Sequence, residues 1–386
     1  MSESRETEAR AHDLVVIGAG VIGLAIAWRA ARRGLQTLLL EAGEPAAGAT
    51  GVAAGMLAPV TEADFGEERL LEANLESARL YPEFVAAVEA SSGRTTGYRT
   101  TGALVVAVDR DQAEELERLH ELQRSLGLDA HWLSPTECRS LEPSLSTRVA
   151  AGVDAPGDHQ VSPRLLAAAL RTALEREGGV LRCHARVRSI AVEGGETAGV
   201  VIEPDELVRA RAVVIAAGAR SGELELPDGA GVPIRPVKGQ ILRLRGKPSQ
   251  PIARRIVRTP EVYAVPRGDG RLVVGATVEE RGFDSAVTAG GVFELLRSAY
   301  EVLPGITELE LVDASAGHRP ATPDNEPVIG EAELPGLLWA SGHWRNGVLL
   351  APLTAQSVVG LVADGDPRPE VAGFSPARFA TAKVAS

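Results

Sequence analysis

Four consecutive apolar residues, Leu14-Val15-Val16-Ile17, follow a polar, charged lead-in, and a short β-branched run of this kind predicts a parallel strand buried on both faces. Gly18-Ala19-Gly20-Val21-Ile22-Gly23 comes next, then a helical stretch through Arg33 with Gly34 placed as its C-terminal cap. Gln36 to Leu40 reads as a second apolar strand ending in Glu41. From Asp64 to Glu89, Leu70, Leu71, Leu75, Leu80, Phe84 and Val88 recur at helical spacing and predict one or two amphipathic helices. Thr101–Val108 predicts a strand, Arg110–Leu126 a solvated charged helix, and Ser134-Pro135-Thr136-Glu137 a short helix opened by a capping box. Val161–Glu177 predicts a helix, Val180–Val192 with Ala198–Ile202 a hairpin, and Arg211–Ala217 another buried parallel strand closed by Gly218.

The texture changes after residue 230. Gly239–Leu244, Val262–Pro266 and Arg271–Thr277 alternate as in an antiparallel sheet, and Phe293–Leu303 is helical. A strand from Val312, a strand at Leu337–Ala340 and an apolar helix after Gly347 close the pattern. The expected fold is α/β: a Rossmann-type domain assembled from 12–90, 150–225 and 312–365, with a second domain on an antiparallel sheet inserted as 91–149 and 226–311. The tails 1–11 and 375–386 are expected to be frayed.

Composition narrows this picture little. A chain of 386 residues with 45% hydrophobic and 24% charged content is an ordinary globular protein of about two domains. A net charge of −12 argues against nucleic acid and anionic membrane as partners. No apolar run approaches the roughly 20 residues of a membrane-spanning helix. The two cysteines, Cys138 and Cys183, make neither a disulfide framework nor a metal site, so a reducing, cytoplasmic setting is expected and no metal.

The first forty residues carry chemistry. Gly18 permits a tight turn, Gly20 lets backbone approach a ligand, and Gly23 lets helix and strand pack closely; with Val21 and Ile22 they present a helix N-terminus to a pyrophosphate. Glu41 can accept hydrogen bonds from both ribose hydroxyls and would repel a 2′-phosphate. A lone glycine fingerprint is weak, but strand, helix, second strand and terminal acid fall in order within one unit of about 30 residues. This unit alone leaves NAD and FAD both open. Residues 43–60, rich in Gly, Ala and Thr and uncharged between Pro45 and Val60, suit a loop passing close to a ligand.

Further motifs bring a family into view. They are Ala53-Ala54-Gly55-Met56-Leu57, Val214-Ile215-Ala216-Ala217-Gly218-Ala219, Gly317-His318-Arg319-Pro320-Ala321-Thr322-Pro323-Asp324, and Gly342-His343-Trp344-Arg345-Asn346-Gly347-Val348-Leu349-Leu350-Ala351-Pro352. With the longer glycine fingerprint through Ala27, Gly34 and Glu41, the chain resembles the D-amino-acid oxidase family of flavoenzymes over residues 12–365, and most closely its glycine-oxidase branch of thiamine biosynthesis. The resemblance implies noncovalent FAD, because both cysteines lie far upstream of the position where sarcosine oxidases attach their flavin. It implies a cofactor site at Gly18, Gly20, Val21, Ile22, Gly23, Glu41, Ala42, Thr50, Ala53, Ala54, Gly55, Met56, Val187, Ala217, Gly218, Gly342, Arg345, Asn346, Gly347, Val348 and Leu349. It places Arg319 as a bidentate clamp on a substrate carboxylate, a grip that lysine could not reproduce. Tyr263 is placed at the same carboxylate, with a core tyrosine as a close competitor, and Arg345 near the site mouth. Val278 falls where the branch often carries methionine. His318 and His343 read as packing or hydrogen-bonding residues.

The implied reaction is oxidative deamination of glycine and other small amino acids or amines by hydride transfer to flavin N5. It would give an imine, then keto acid and ammonia, with O2 reduced to H2O2. A homo-oligomer, tetramer or dimer, and a role in thiazole synthesis are implied too. Rivals are a D-amino-acid or sarcosine oxidase, a dehydrogenase using an acceptor other than oxygen, and a non-enzymatic nucleotide-binding scaffold. A disulfide reductase would need a CxxC pair, and an aromatic hydroxylase a Gly-Asp motif near 340–350; both are absent.

Overall fold

A computed structural model describes residues 11–379. Of the expected frayed tails, 1–10 and 380–386 lie outside the described residues. Residues 375–379 are held: Arg378 pairs with Asp324 at 2.9 Å and sits 4.3 Å from the centre of the Phe379 ring.

The strand His12–Ile17 is the centre of the first sheet. It pairs in parallel with Thr37–Leu40 on one side and with Glu206–Ile215 on the other. Val180–Arg182 continues the sheet past Thr37–Leu40, while Leu337–Ser341 and then antiparallel Val328–Glu331 extend it past Glu206–Ile215. Alternation splits the central strand between two cores. Leu14 and Val16 face the helices Val21–Arg32, Glu68–Ser92, Pro163–Arg176 and Ala351–Asp364, and Val15 and Ile17 face Val187, Ile190 and Val200.

The second sheet runs in the order Glu310–Ala321, Arg235–Arg245, Arg271–Gly275, Tyr263–Pro266, Ile256–Arg258, Ala103–Ala107, Ala151–Ala155, His131–Leu133. Its pairs are antiparallel except Ile256–Arg258 with Ala103–Ala107. One face, carrying Ile241, Val265, Val273 and Tyr263, packs on Val52, Ala54 and Met56; the other, carrying Leu242, Leu244 and Val274, packs on the helix Ala289–Val302. The expectation of a Rossmann-type unit beside an antiparallel sheet is borne out.

Several boundaries differ. Val180–Val192 is two strands, because His184 takes a left-handed φ of 54° and turns the chain: Val180–Arg182 joins the nucleotide sheet, and Val187–Glu193 pairs with Glu196–Ile202. The strand expected at Arg211–Ala217 is longer, Glu206–Ile215, antiparallel to that hairpin in its first half and parallel to His12–Ile17 in its second. Ala151–Ala155 and Glu310–Ala321, expected within the nucleotide-binding segments 150–225 and 312–365, belong to the second sheet. Glu310–Ala321 is too polar to be buried on both faces, and it lies instead along the whole of Arg235–Arg245 as an edge strand. Among the described residues no helix is long and apolar enough to cross a membrane, and no cluster of His, Cys, Asp and Glu could hold a metal.

Candidate active site

The nucleotide end is built as its glycines require. Gly18 has a φ of +101°, and a Cβ there would sit 2.6 Å from the Ala216 carbonyl oxygen; a Cβ on Gly23 would collide with the Gly18 carbonyl. Glu41 is held at the tip of its strand by the backbone N–H of Ala19 (2.7 Å) and of Gly43 (2.9 Å). The Val21 N–H donates to buried Thr50 Oγ1 at 3.0 Å, so Thr50 caps the helix start, whereas the N–H groups of Gly20 and Ile22 meet no acceptor among the described residues. Such free donors, the positive end of a helix and an acid one strand away suit a dinucleotide. Ala42 is exposed beside Glu41. Ala217 and Gly218 close the strand Glu206–Ile215 next to Gly18, and Val187 is buried at the start of the hairpin.

The loop 49–57 joins this end to the second sheet. Arginines from its surroundings hold it by backbone oxygens: Arg243 Nη2 and Arg164 Nε donate to the Gly51 carbonyl at 2.6 and 2.8 Å, and Arg267 donates to the Ala54 carbonyl. Arg267 also donates to the Val161 carbonyl and Gln160 Oε1, and burial pushes its guanidinium down to about 10. These arginines were not foreseen, since nothing local in the sequence separates them from surface arginines. Thr50, Ala53, Ala54, Gly55 and Met56 thus sit on a loop fixed between the sheets.

The stretch after Leu337–Ser341 is a run of turns before the helix Ala351–Asp364. Trp344 adopts a φ of +47°, a strained conformation for a bulky residue, and its N–H donates to the Pro320 carbonyl at 2.9 Å. Gly347, Val348 and Leu349 present backbone N–H groups with no acceptor among the described residues, while their carbonyls at Val348 and Leu349 take Tyr81 Oη and Ser77 Oγ. Asn346 is buried, and its Oδ1 has no partner. Gly342 packs against Thr322 and Ile234. This row of unsatisfied donors is the second place where a charged, hydrogen-bonding cofactor ring would be held.

Arg319 and Tyr263 meet on the face of the second sheet that looks toward the loop. The Arg319 guanidinium crosses Gly239, and the Tyr263 ring lies over its cross-strand partner Gly275. Arg319 donates to the carbonyls of Thr277 (3.1 Å) and Lys238 (3.4 Å), lies 5.8 Å from the Trp344 ring centre, and has no carboxylate partner among the described residues. Burial lowers its pKa, opposed by Tyr263 and Glu62. A half-buried guanidinium with no carboxylate in contact is costly and calls for an anion. Burial raises the Tyr263 phenol, which stays neutral at physiological pH.

Arg345 stands at the edge of this group in an ion-pair cluster. It reaches Glu67 at 3.0 Å and Glu62 at 3.9 Å, and Glu62 also meets Arg258 at 3.3 Å. Burial raises the Glu67 carboxyl, and Arg345 pulls it back down. Glu62, Arg258 and Trp344 were missed as site neighbours. Val278 is exposed beside Thr277. His318 points to the opposite face of the sheet, 3.0 Å from the Asp284 carbonyl; His343 is buried against Thr354 Oγ1 at 3.0 Å, and burial pushes its pKa down to about 3.

Comparison with known proteins agrees with this geometry. Residues 13–361 match the family model DAO, FAD dependent oxidoreductase. Glycine oxidase of Geobacillus kaustophilus is 34% identical over 94% of this chain and 96% of its own length. The bifunctional protein ThiO/ThiG of Trichormus variabilis is 34% identical over 95% of this chain, which spans 55%, about half, of that longer protein. The crystal structure of the Geobacillus kaustophilus glycine oxidase superposes with a TM-score of 0.88 over 94% of this chain and 98% of that one. With its glycine cradle, its acid at Glu41 and its free donors at Gly347–Leu349, the chain belongs to the DAO family of FAD-dependent oxidoreductases.

Proposed function

We propose that this enzyme oxidises small amino acids or amines, glycine foremost, to the imine, with O2 reduced to H2O2 and the imine hydrolysing to keto acid and ammonia. The observation that carries the reading is Arg319, a half-buried guanidinium that lacks a carboxylate in contact and stands beside Tyr263. FAD, when bound, supplies the acceptor for the hydride leaving the substrate α-carbon. The chain does the rest. Arg319 grips the substrate carboxylate through two parallel hydrogen bonds, the Tyr263 hydroxyl adds a third, and the packed faces around them exclude water. No protein base is needed if the neutral amine reacts.

The test is anaerobic titration of the yellow holoenzyme with glycine, sarcosine and D-alanine. Bleaching of the flavin by at least one supports the reading. Flavin left oxidised by all of them overturns it, and bleaching without H2O2 in air would identify a dehydrogenase instead.

We further propose noncovalent FAD, assembly as a homo-oligomer and a cytoplasmic setting. Cys138 is buried beneath Gly152 with its thiol pushed up to about 11, and both cysteines are free. The edge strand Glu310–Ala321 leaves Leu311 and Val312 exposed, a surface suited to self-association. Light scattering giving a monomer mass would overturn the assembly, and exclusion from the cytosolic fraction the location. The ThiO/ThiG relatives support supply of the glycine imine to thiazole synthesis; normal thiamine-free growth of a deletion strain would argue against that role.

A further inference from the structure

The two carbonyls that receive Arg319 belong to Lys238 and Thr277. Thr277 lies beyond the end of the strand Arg271–Gly275, where the regular ladder has stopped. Past that point the segment stays on the strand Arg235–Arg245 through the Thr277 N–H, which donates to the Gln240 carbonyl (3.3 Å), and through an isolated bridge, in which Lys238 N–H donates to the Glu279 carbonyl (3.0 Å) and Glu279 N–H to the Lys238 carbonyl (2.9 Å). The Thr277 carbonyl is therefore set between two ties, its own N–H on the Gln240 carbonyl and the bridge at Glu279 two residues on.

What secures it lies on the far face of the sheet. Side chains alternate along a strand, so Gly239 and Ile241 face the site while Lys238 and Gln240 face away. On that far face Glu279 accepts from Thr277 Oγ1 (2.6 Å) and from Gln240 Nε2 (2.7 Å), and Thr277 Oγ1 accepts the Gln240 N–H (2.9 Å). The Lys238 side chain is 0% exposed, and its ammonium lies 2.7 Å from Asp284 and 3.6 Å from Glu279. A buried ammonium is costly unless paired, and here it ties both ends of the segment 279–284 to the sheet. His318, the cross-strand partner of Lys238, fastens the same segment through the Asp284 carbonyl and the Phe283 ring. Val278, between the tied residues, is 65% exposed and makes no such anchor.

We propose that Lys238 and Glu279 are positioning residues, which aim the Arg319 guanidinium from behind the sheet by fixing the two carbonyls to which it donates. Neither touches the substrate; they act through Thr277 and the Lys238 backbone. The proposal rests on Arg319 being the carboxylate clamp. A clamp displaced by about an ångström loses affinity for the carboxylate while the chemistry at the α-carbon is little changed once substrate is bound.

The experiment measures glycolate, a carboxylate without an amine, binding to the holoenzyme by its perturbation of the flavin spectrum, together with kcat and KM for glycine. Lys238→Met and Glu279→Gln are each expected to raise the glycolate Kd and the glycine KM about tenfold, with kcat within about twofold. Lys238→Arg, which keeps the cation, is expected to restore both. Glu279→Gln keeps acceptor and size, so it carries the test if Lys238→Met does not fold. If Arg319→Ala loses glycolate while Lys238→Met and Glu279→Gln bind it as wild type does, the positioning role is overturned and the clamp stands. If wild type and Arg319→Ala bind glycolate equally, the clamp reading fails and the positioning role with it.

Discussion

The guanidinium of Arg319 lies so close over Gly239 that a Cβ at that glycine would stand 2.5 Å from Nη1. The collision is with the far end of a flexible side chain, so Gly239→Ala is expected to fold normally and bind FAD while pushing the clamp aside. A rise of about tenfold or more in KM for glycine, with melting temperature and flavin content unchanged, is the expected result. Unchanged kinetics would mean that Arg319 does not work from this position. Arg319→Ala should give a larger rise in KM, again with flavin retained.

Tyr263 stands over Gly275, and no acceptor among the described residues meets its hydroxyl. Tyr263→Phe removes one neutral hydrogen bond to the substrate, worth about 0.5–1.5 kcal/mol, so kcat/KM is expected to fall roughly twofold to tenfold. A tyrosine serving only the core would show no change in kinetics.

Glu41 accepts two backbone N–H groups before any ligand arrives. Glu41→Ala strands both and removes the acceptor for ribose hydroxyls. Titration of the apoprotein with FAD is expected to show a Kd raised tenfold to a hundredfold, corresponding to about 1.5–3 kcal/mol. Wild-type affinity would exclude Glu41 from the site.

His343 gives a pH prediction with a definite sign. Its folded pKa of about 3 lies below its unfolded value of about 6.5, so the unfolded chain binds the proton first as pH falls. Its cost to stability is absent above pH 6.5 and grows between pH 6.5 and 3, by up to about 1.4 kcal/mol per pH unit. Denaturant titration at pH 7 and pH 5 should show a smaller acid loss in His343→Gln than in wild type; equal losses would contradict the buried neutral imidazole.

Acid precipitation should release FAD into the supernatant, because neither cysteine is expected to bond it. Colour remaining in the pellet would contradict this.

Much of the nucleotide half was legible because its signals are local. Leu14–Ile17, the spaced glycines and Glu41 are contiguous, and a strand buried on both faces must be apolar throughout. The sheet to which Glu310–Ala321 belongs was not legible, because an edge strand bearing Asp313, Ser315, His318 and Arg319 carries no such run. Arg319 and Tyr263 were reached through motif resemblance, since an isolated arginine or tyrosine has no local signature of its role. Arg243, Arg267, Glu62 and Lys238 were invisible because their meaning lies in contacts with residues distant in the chain. Lys238 reads as a surface lysine until Asp284 and Glu279 fold over it.

The strand Leu337–Ser341 pairs directly with Glu206–Ile215, itself the neighbour of His12–Ile17. Synthesis proceeds from the N-terminus, so the glycine loop leaves the ribosome more than three hundred residues before the last strand of its sheet. Until then the nascent nucleotide sheet has one open flank and lacks the donors at Gly347–Leu349. The two halves of the cofactor site are thus brought together only after residues 337–349 have been made and paired.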